Sequence, residues 1–177
     1  MLLNLTEQGN EIFLLIVQKG RRFLMDENVI VGKYYEDWKI GDEYETAWTT
    51  VTEAHIWLFM YLTDYHNPIH TDIEYAKKTI FGERIAPGFL VHSISTGQVN
   101  QTRVFEGTTL AFLGIRYIKF VNPVRIGDTI RTIGKLIEKK DSQKPERGIV
   151  VFRAKVVNQR WEIVTDSERV ILLRRKI

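Results

Sequence analysis

Pro87-Gly88-Phe89-Leu90-Val91-His92-Ser93-Ile94-Ser95-Thr96-Gly97-Gln98-Val99 sets a proline and a glycine before an apolar run broken by small residues. The proline sits where a helix is starting and a missing N–H costs little, so a helix is predicted over 88–99. Ser93, Ser95 and Gly97 interrupt its apolar side, and small residues there imply close packing against a sheet. Downstream, from Thr108, the chain turns to β-structure. Strands are predicted over 109–120, 129–138, 149–157 and 162–173. Between them lie turns at Asn122-Pro123, Ile126-Gly127-Asp128, the polar run 141–148 and Asn158-Gln159. Val150, Phe152, Ala154 and Val156 alternate onto one face of the third of these strands.

Upstream of the central helix the pattern is different. Tyr44 to Val51 reads as one strand, rich in aromatic and β-branched residues. Thr52 fits an N-cap, with Glu53 in the first turn, for a helix running to about Leu62 that is apolar almost all round and is expected to be heavily buried. Pro68 stops any helix at that point, and Asp72 can cap a short one over 73–79 that ends at Gly82. The order is strand, helices, then several antiparallel strands. That is an α+β arrangement, in which an antiparallel sheet wraps a long central α-helix. Such a sheet has open edges, and pairing with a second copy would cover one, so a homodimer is expected.

The chain has 177 residues, the size of one domain. Residues 1–30 lack the regular pattern of the rest and read as an N-terminal extension, with Met25 as a possible start; residues 31–177 form the domain. Twenty-five basic against 22 acidic residues leave a net charge of only +3, and the basic residues are interleaved with acids, so nucleic-acid binding is not expected. No cysteine is present, which excludes disulfides, thiolate catalysis and Cys-based zinc sites. The apolar run 12–17 is far short of the roughly 20 residues of a membrane span. Its basic residues follow it, unlike those of a signal peptide. No membrane association is expected, and the cytoplasm is the default location.

Chemistry concentrates in Asp64-Tyr65-His66-Asn67-Pro68-Ile69-His70-Thr71-Asp72, which holds two of the four histidines. Pro68 stiffens the backbone so that Asn67 and His70 project in fixed directions. Histidine, with a pKa near neutrality, is the side chain suited to moving protons. An ordinary surface turn would use the same Asp, Asn and Pro residues. A metal site built on Asp64, His66, His70 and Asp72 would need the two histidines on one helical face, which Pro68 disfavours. No metal and no cofactor are expected.

The segment Asn67-Pro68-Ile69-His70-Thr71-Asp72, with Glu74-Tyr75-Ala76 after it, resembles the hydratase motif of MaoC-like proteins. The resemblance continues through Phe81–Leu90, Ser93, Phe112-Leu113-Gly114, Pro123-Val124-Arg125 and Ile126-Gly127-Asp128-Thr129. These are hot-dog-fold enzymes that include the (R)-specific enoyl-CoA hydratases. The resemblance implies a hot-dog fold and an acyl-CoA thioester substrate. It implies hydration of a 2-enoyl-CoA or dehydration of a 3-hydroxyacyl-CoA. His70 falls on the family's catalytic histidine, Ser93 on a serine that orders the site, and Gly88 where a backbone N–H contacts the thioester oxygen. Tyr65 stands where the family has its aspartate, and Asp64 lies one place earlier, at a position that is commonly glycine; Pro87 replaces a frequent histidine. Asp64 is therefore expected to serve as the carboxylate, with Tyr65, His66 and Asn67 in support. A thioesterase using Asp64 or Glu83, or a non-catalytic acyl-CoA-binding protein, would fit the same fold.

Overall fold

The structure is a computed structural model, and it describes residues 32–176. Among them, a 3₁₀ turn at Tyr35–Asp37 leads into β1 (Glu43–Glu45), β2 (Thr49–Thr50), α1 (Glu53–Thr63), α2 (Pro68–Thr71) and α3 (Ile73–Lys77). There follow α4 (Gly88–Gln101), β3 (Thr109–Phe120), β4 (Thr129–Asp141), β5 (Arg147–Asn158) and β6 (Ile163–Arg174). The strands form one antiparallel sheet in the order β1-β4-β5-β6-β3, with β2 also paired to β4. Helix α4 lies on this sheet against β4 and β6. This is the α+β architecture expected from the order of elements.

Strand alternation explains which side of the sheet the helix covers. Val150, Phe152, Ala154 and Val156 of β5 all face inward and are fully buried. Two apolar clusters result. One gathers Trp38, Tyr44, Phe105, Phe152 and Leu173, with the Trp38 and Phe105 rings stacked at 5.6 Å and Phe152 meeting Trp38 edge-on at 4.9 Å. The other joins α1 and α4 to the sheet through Ile56, Met60, Leu90, Val91, Val124, Ile130 and Val164. Gln98 pins α4 between them. Its amide donates to the Ile130 carbonyl at 2.8 Å and to Thr49 Oγ1 at 3.0 Å, and accepts from Thr132 Oγ1 at 2.9 Å.

The strand expected over 44–51 is two short strands with a break at Thr46. There the Thr46 hydroxyl, not a backbone carbonyl, accepts the Thr132 N–H at 2.9 Å, so a side chain interrupts the ladder. Helix α1 also departs from expectation. Only Ile56 and Met60 are buried, while Leu58, Tyr61 and Leu62 are 69%, 71% and 85% exposed. The sheet and α4 cover one side of this apolar helix, and the other side is left open by the described residues. Edge strand β3 is similar, with Leu110, Phe112, Leu113, Ile115 and Phe120 open to solvent. No helix among the described residues is long and apolar enough to cross a membrane.

Candidate active site

Helix α1 ends at Thr63, and Asp64 leaves it in the left-handed region at φ 56°. The chain then restarts rather than remaining extended. Asn67 caps α2 by accepting the Ile69 N–H at 3.2 Å, and Pro68 occupies the first helical position, where its missing N–H is harmless. One turn later Asp72 accepts the Tyr75 N–H at 3.0 Å and starts α3. These two caps turn His70 inward, and it is only 5% exposed.

The His70 ring is held by one bond, from Nδ1 to the Ile85 carbonyl oxygen at 2.7 Å. A carbonyl can only accept, so Nδ1 carries the proton in the neutral ring and Nε2 is left with its lone pair. Burial pushes the His70 pKa below the ordinary histidine range, and the Ile85 bond opposes this only in part. The imidazole is therefore neutral at neutral pH, with its second nitrogen available as a base.

Ile85 is itself fixed. It bridges to Arg125, and the next residue, Ala86, donates its N–H to the Val124 carbonyl at 2.7 Å. Arg84 reaches back to Glu53 with two bonds of 2.7 and 2.8 Å, tying this segment to the first turn of α1. That guanidinium, more than the smaller bond from Trp57, holds the Glu53 carboxyl below the usual carboxylate range.

His70 opens on a cleft of about 490 Å³ whose walls include Tyr65, Ile85, Gly88, Val91, Phe120 and Thr165. Gly88 is the first residue of α4, so its N–H has no partner within the helix. A Cβ at this position would lie 2.7 Å from the Phe120 ring, so only glycine lets that wall approach the helix start. A second hollow of about 440 Å³ adjoins the first, sharing Tyr65, Gly88 and Phe89 and adding Phe59 and Thr63 of α1.

Of the residues singled out in the sequence, Tyr65, His70 and Gly88 come together in the cleft. The Tyr65 ring lies 5.7 Å from that of His70, centre to centre. Asp64, His66, Asn67 and Ser93 do not line it. The Asp64 side chain is fully exposed, and its nearest ionic neighbour is His66 Nε2 at 3.8 Å. Asn67 acts on the backbone as a cap, and Ser93 is exposed and donates to the Phe89 carbonyl at 2.8 Å. Glu83 pairs with Arg125 at the surface. Among the described residues, no three His, Asp or Glu side chains are grouped so as to hold a metal ion. The Ile85 carbonyl and the Phe120 wall leave no mark in the sequence as parts of a site. A backbone acceptor carries no residue signature, and Phe120 joins the site only through strand pairing.

The described chain matches the model of the MaoC like domain over residues 37–158. It is 32% identical over 156 residues to the (R)-specific enoyl-CoA hydratase of Rhodospirillum rubrum, covering 84% of this chain and 97% of that protein. It is 31% identical to Protein MaoC of Klebsiella aerogenes over 77% of this chain, and there it spans only 40% of the relative's length. Among solved structures, one described as a monoamine oxidase regulatory protein from Archaeoglobus is 41% identical, with a TM-score of 0.78 over 82% of this chain and 97% of that one. A Mycobacterium tuberculosis protein with a double hot-dog fold superposes with a TM-score of 0.72 at 20% identity, over 82% of this chain and 45% of that one, and shows the fold alone.

Proposed function

This chain belongs to the MaoC-like domain family, and on that premise we propose that it is a hydro-lyase acting on acyl-CoA thioesters. It adds water to a 2-enoyl-CoA or removes it from a 3-hydroxyacyl-CoA. The observation that carries this reading is His70, buried at the cleft wall with Nδ1 committed to Ile85 and Nε2 left as a base beside the first turn of α4.

In the hydration direction, Nε2 takes a proton from water as the oxygen bonds to C3 of the enoyl group. The C2–C3 π electrons move toward the thioester carbonyl, whose oxygen gains enolate charge. The Gly88 N–H, at a helix start where the dipole favours negative charge, stabilises that oxygen. The imidazolium then returns its proton to C2, so atoms and charge balance with one base. Asp64, facing solvent, would join this chemistry only if the 64–66 stretch turned toward His70. Tyr65 stands beside the imidazole, where its phenol can orient the water. The acyl tail lies along α4.

The apolar faces of α1 and β3, left open by the described residues, support a homodimer as the working unit. An acyl-CoA substrate fits the cytoplasmic setting expected from the sequence. A second reading is favoured by one observation: among the described residues no carboxylate lines the cleft, as suits a protein that binds acyl-CoA without turning it over. Loss of the enoyl absorbance of crotonyl-CoA separates the two. The wild type is expected to hydrate it and His70→Ala nearly to abolish the reaction with the fold intact. Full activity in His70→Ala would overturn the assignment, and tight binding with no turnover by the wild type would establish the second reading.

A further inference from the structure

Arg169 of β6 is only 3% exposed, yet among the described residues it forms no ion pair. Its guanidinium is met by hydroxyls alone: Ser95 Oγ on α4, and Ser167 Oγ two residues back on the same strand at 3.4 Å. A cation taken out of water without a counter-charge is among the costliest features a fold can retain. Beside it stands His92 of α4, 8% exposed, whose Nδ1 has no hydrogen-bond partner among the described residues. Burial first, and the Arg169 charge second, hold His92 down at about 4, so it is a neutral ring with an unused polar atom.

These groups adjoin the cleft through Thr165, while Arg169, His92, Ser95 and Ser167 lie behind its wall. Thr165, Ser167 and Arg169 alternate onto the same face of β6, opposite the buried Val156, Ala154 and Phe152 of β5. Thr165 lines the cleft, and its buried hydroxyl also lacks a partner among the described residues. On the helix side, Ser95 is seven residues beyond Gly88, a distance of about 10 Å along the axis. Beside the satisfied Gln98–Thr132 network, the helix–sheet layer thus carries a row of unsatisfied or weakly satisfied polar groups, ending in a cation with no ion-pair partner among the described residues. The row starts where an acyl chain held at Gly88 would enter.

We propose that the acyl group this protein takes ends in a carboxylate, which pairs with Arg169 and accepts from His92. This rests on the reading of the cleft as an acyl-CoA site and specifies its substrate class as the monothioester of a dicarboxylic acid. The spacing between Gly88 and Ser95 suits chains of about five to eight carbons. The carboxylate would supply the missing counter-charge, and a neutral chain of the same length would leave the guanidinium unpaired.

The test compares 2-enedioyl-CoA thioesters of five to eight carbons with the 2-enoyl-CoA thioesters of the same lengths. Both kcat/KM for hydration and Kd by calorimetry are measured for the wild type, Arg169→Met and Arg169→Lys. The wild type is expected to favour one of the diacid thioesters over its neutral counterpart by about thirtyfold or more. Arg169→Met should erase or reverse that ratio, and Arg169→Lys should restore part of it. Equal treatment of the two series by the wild type, or a ratio unmoved in Arg169→Met, would overturn the proposal. If Arg169→Met does not fold, the wild-type ratio and Arg169→Lys decide. Failure of the hydratase reading shows itself differently, as no turnover of either series, and the Kd ratio then still tests the carboxylate site.

Discussion

Replacing His92 with glutamine should flatten the acid side of the stability profile, by an amount that the structure sets. His92 is held at about 4 in the folded protein, against 6.5 for an ordinary histidine. The unfolded chain therefore binds more protons between these two values. The contribution of the neutral buried ring is complete above pH 6.5 and is lost as the pH falls through the window toward 4. The whole window corresponds to about 3 kcal/mol at most, and the portion between pH 7 and pH 5 to about 2 kcal/mol. Urea unfolding at half-unit steps between those pH values, on wild type and His92→Gln, reads the difference directly. His70 is displaced in the same direction and keeps a smaller slope in the variant. Wild-type and variant profiles that run parallel from pH 7 to pH 5 would refute the argument, because the ring would then not be buried neutral beside Arg169.

Gly88→Ala should keep the fold but cut turnover at least about tenfold, since its methyl pushes the Phe120 ring from 2.7 Å contact into the cleft; crotonyl-CoA hydration and circular dichroism check both halves. The acid limb of kcat/KM should fall with an apparent pKa below 6.5, because activity needs neutral His70 and burial lowers its pKa; a limb above that value would contradict a buried, neutral base. Gln98→Leu should cost about 2–4 kcal/mol in chemical denaturation, since it strands the Ile130 carbonyl and the Thr132 hydroxyl in the interior. Asp64→Asn should leave kcat within about threefold of wild type if His70 is the one base, and a loss of a hundredfold or more would restore the carboxylate to the mechanism.

Much of the fold was legible in the residues. The limits of β3 follow from its apolar run and the Asn122-Pro123 turn, and the start of α4 from Pro87. The break between β1 and β2 was not legible, because it depends on the Thr46 hydroxyl replacing a carbonyl opposite Thr132, a contact across 86 positions. The exposure of α1 was missed for a different reason. An apolar composition announces burial, but does not say whether the covering surface belongs to the same chain. In the site, Asn67, Pro68 and His70 could be read from local turn chemistry, since caps and proline act within a few residues. The side chains of Asp64 and Tyr65 could not be told apart by position. A left-handed residue at the end of α1 decides that Tyr65 turns to His70 and Asp64 to solvent, and no property of either residue type demands it.

The bond between His70 and Ile85 has a consequence for anyone wishing to move this chemistry elsewhere. The segment from Asn67 to Asp72 shapes itself, since its caps and its proline lie within it. What it cannot supply is the identity of its histidine, which comes from a carbonyl fifteen residues away, held in turn by Val124 and Arg125. Transplanted alone, the loop would keep its shape while its imidazole became free to swap tautomers and turn. The transferable unit is the loop together with the 84–86 segment and the turn after β3. Mutational drift in that distant turn can retune the base without touching the loop itself.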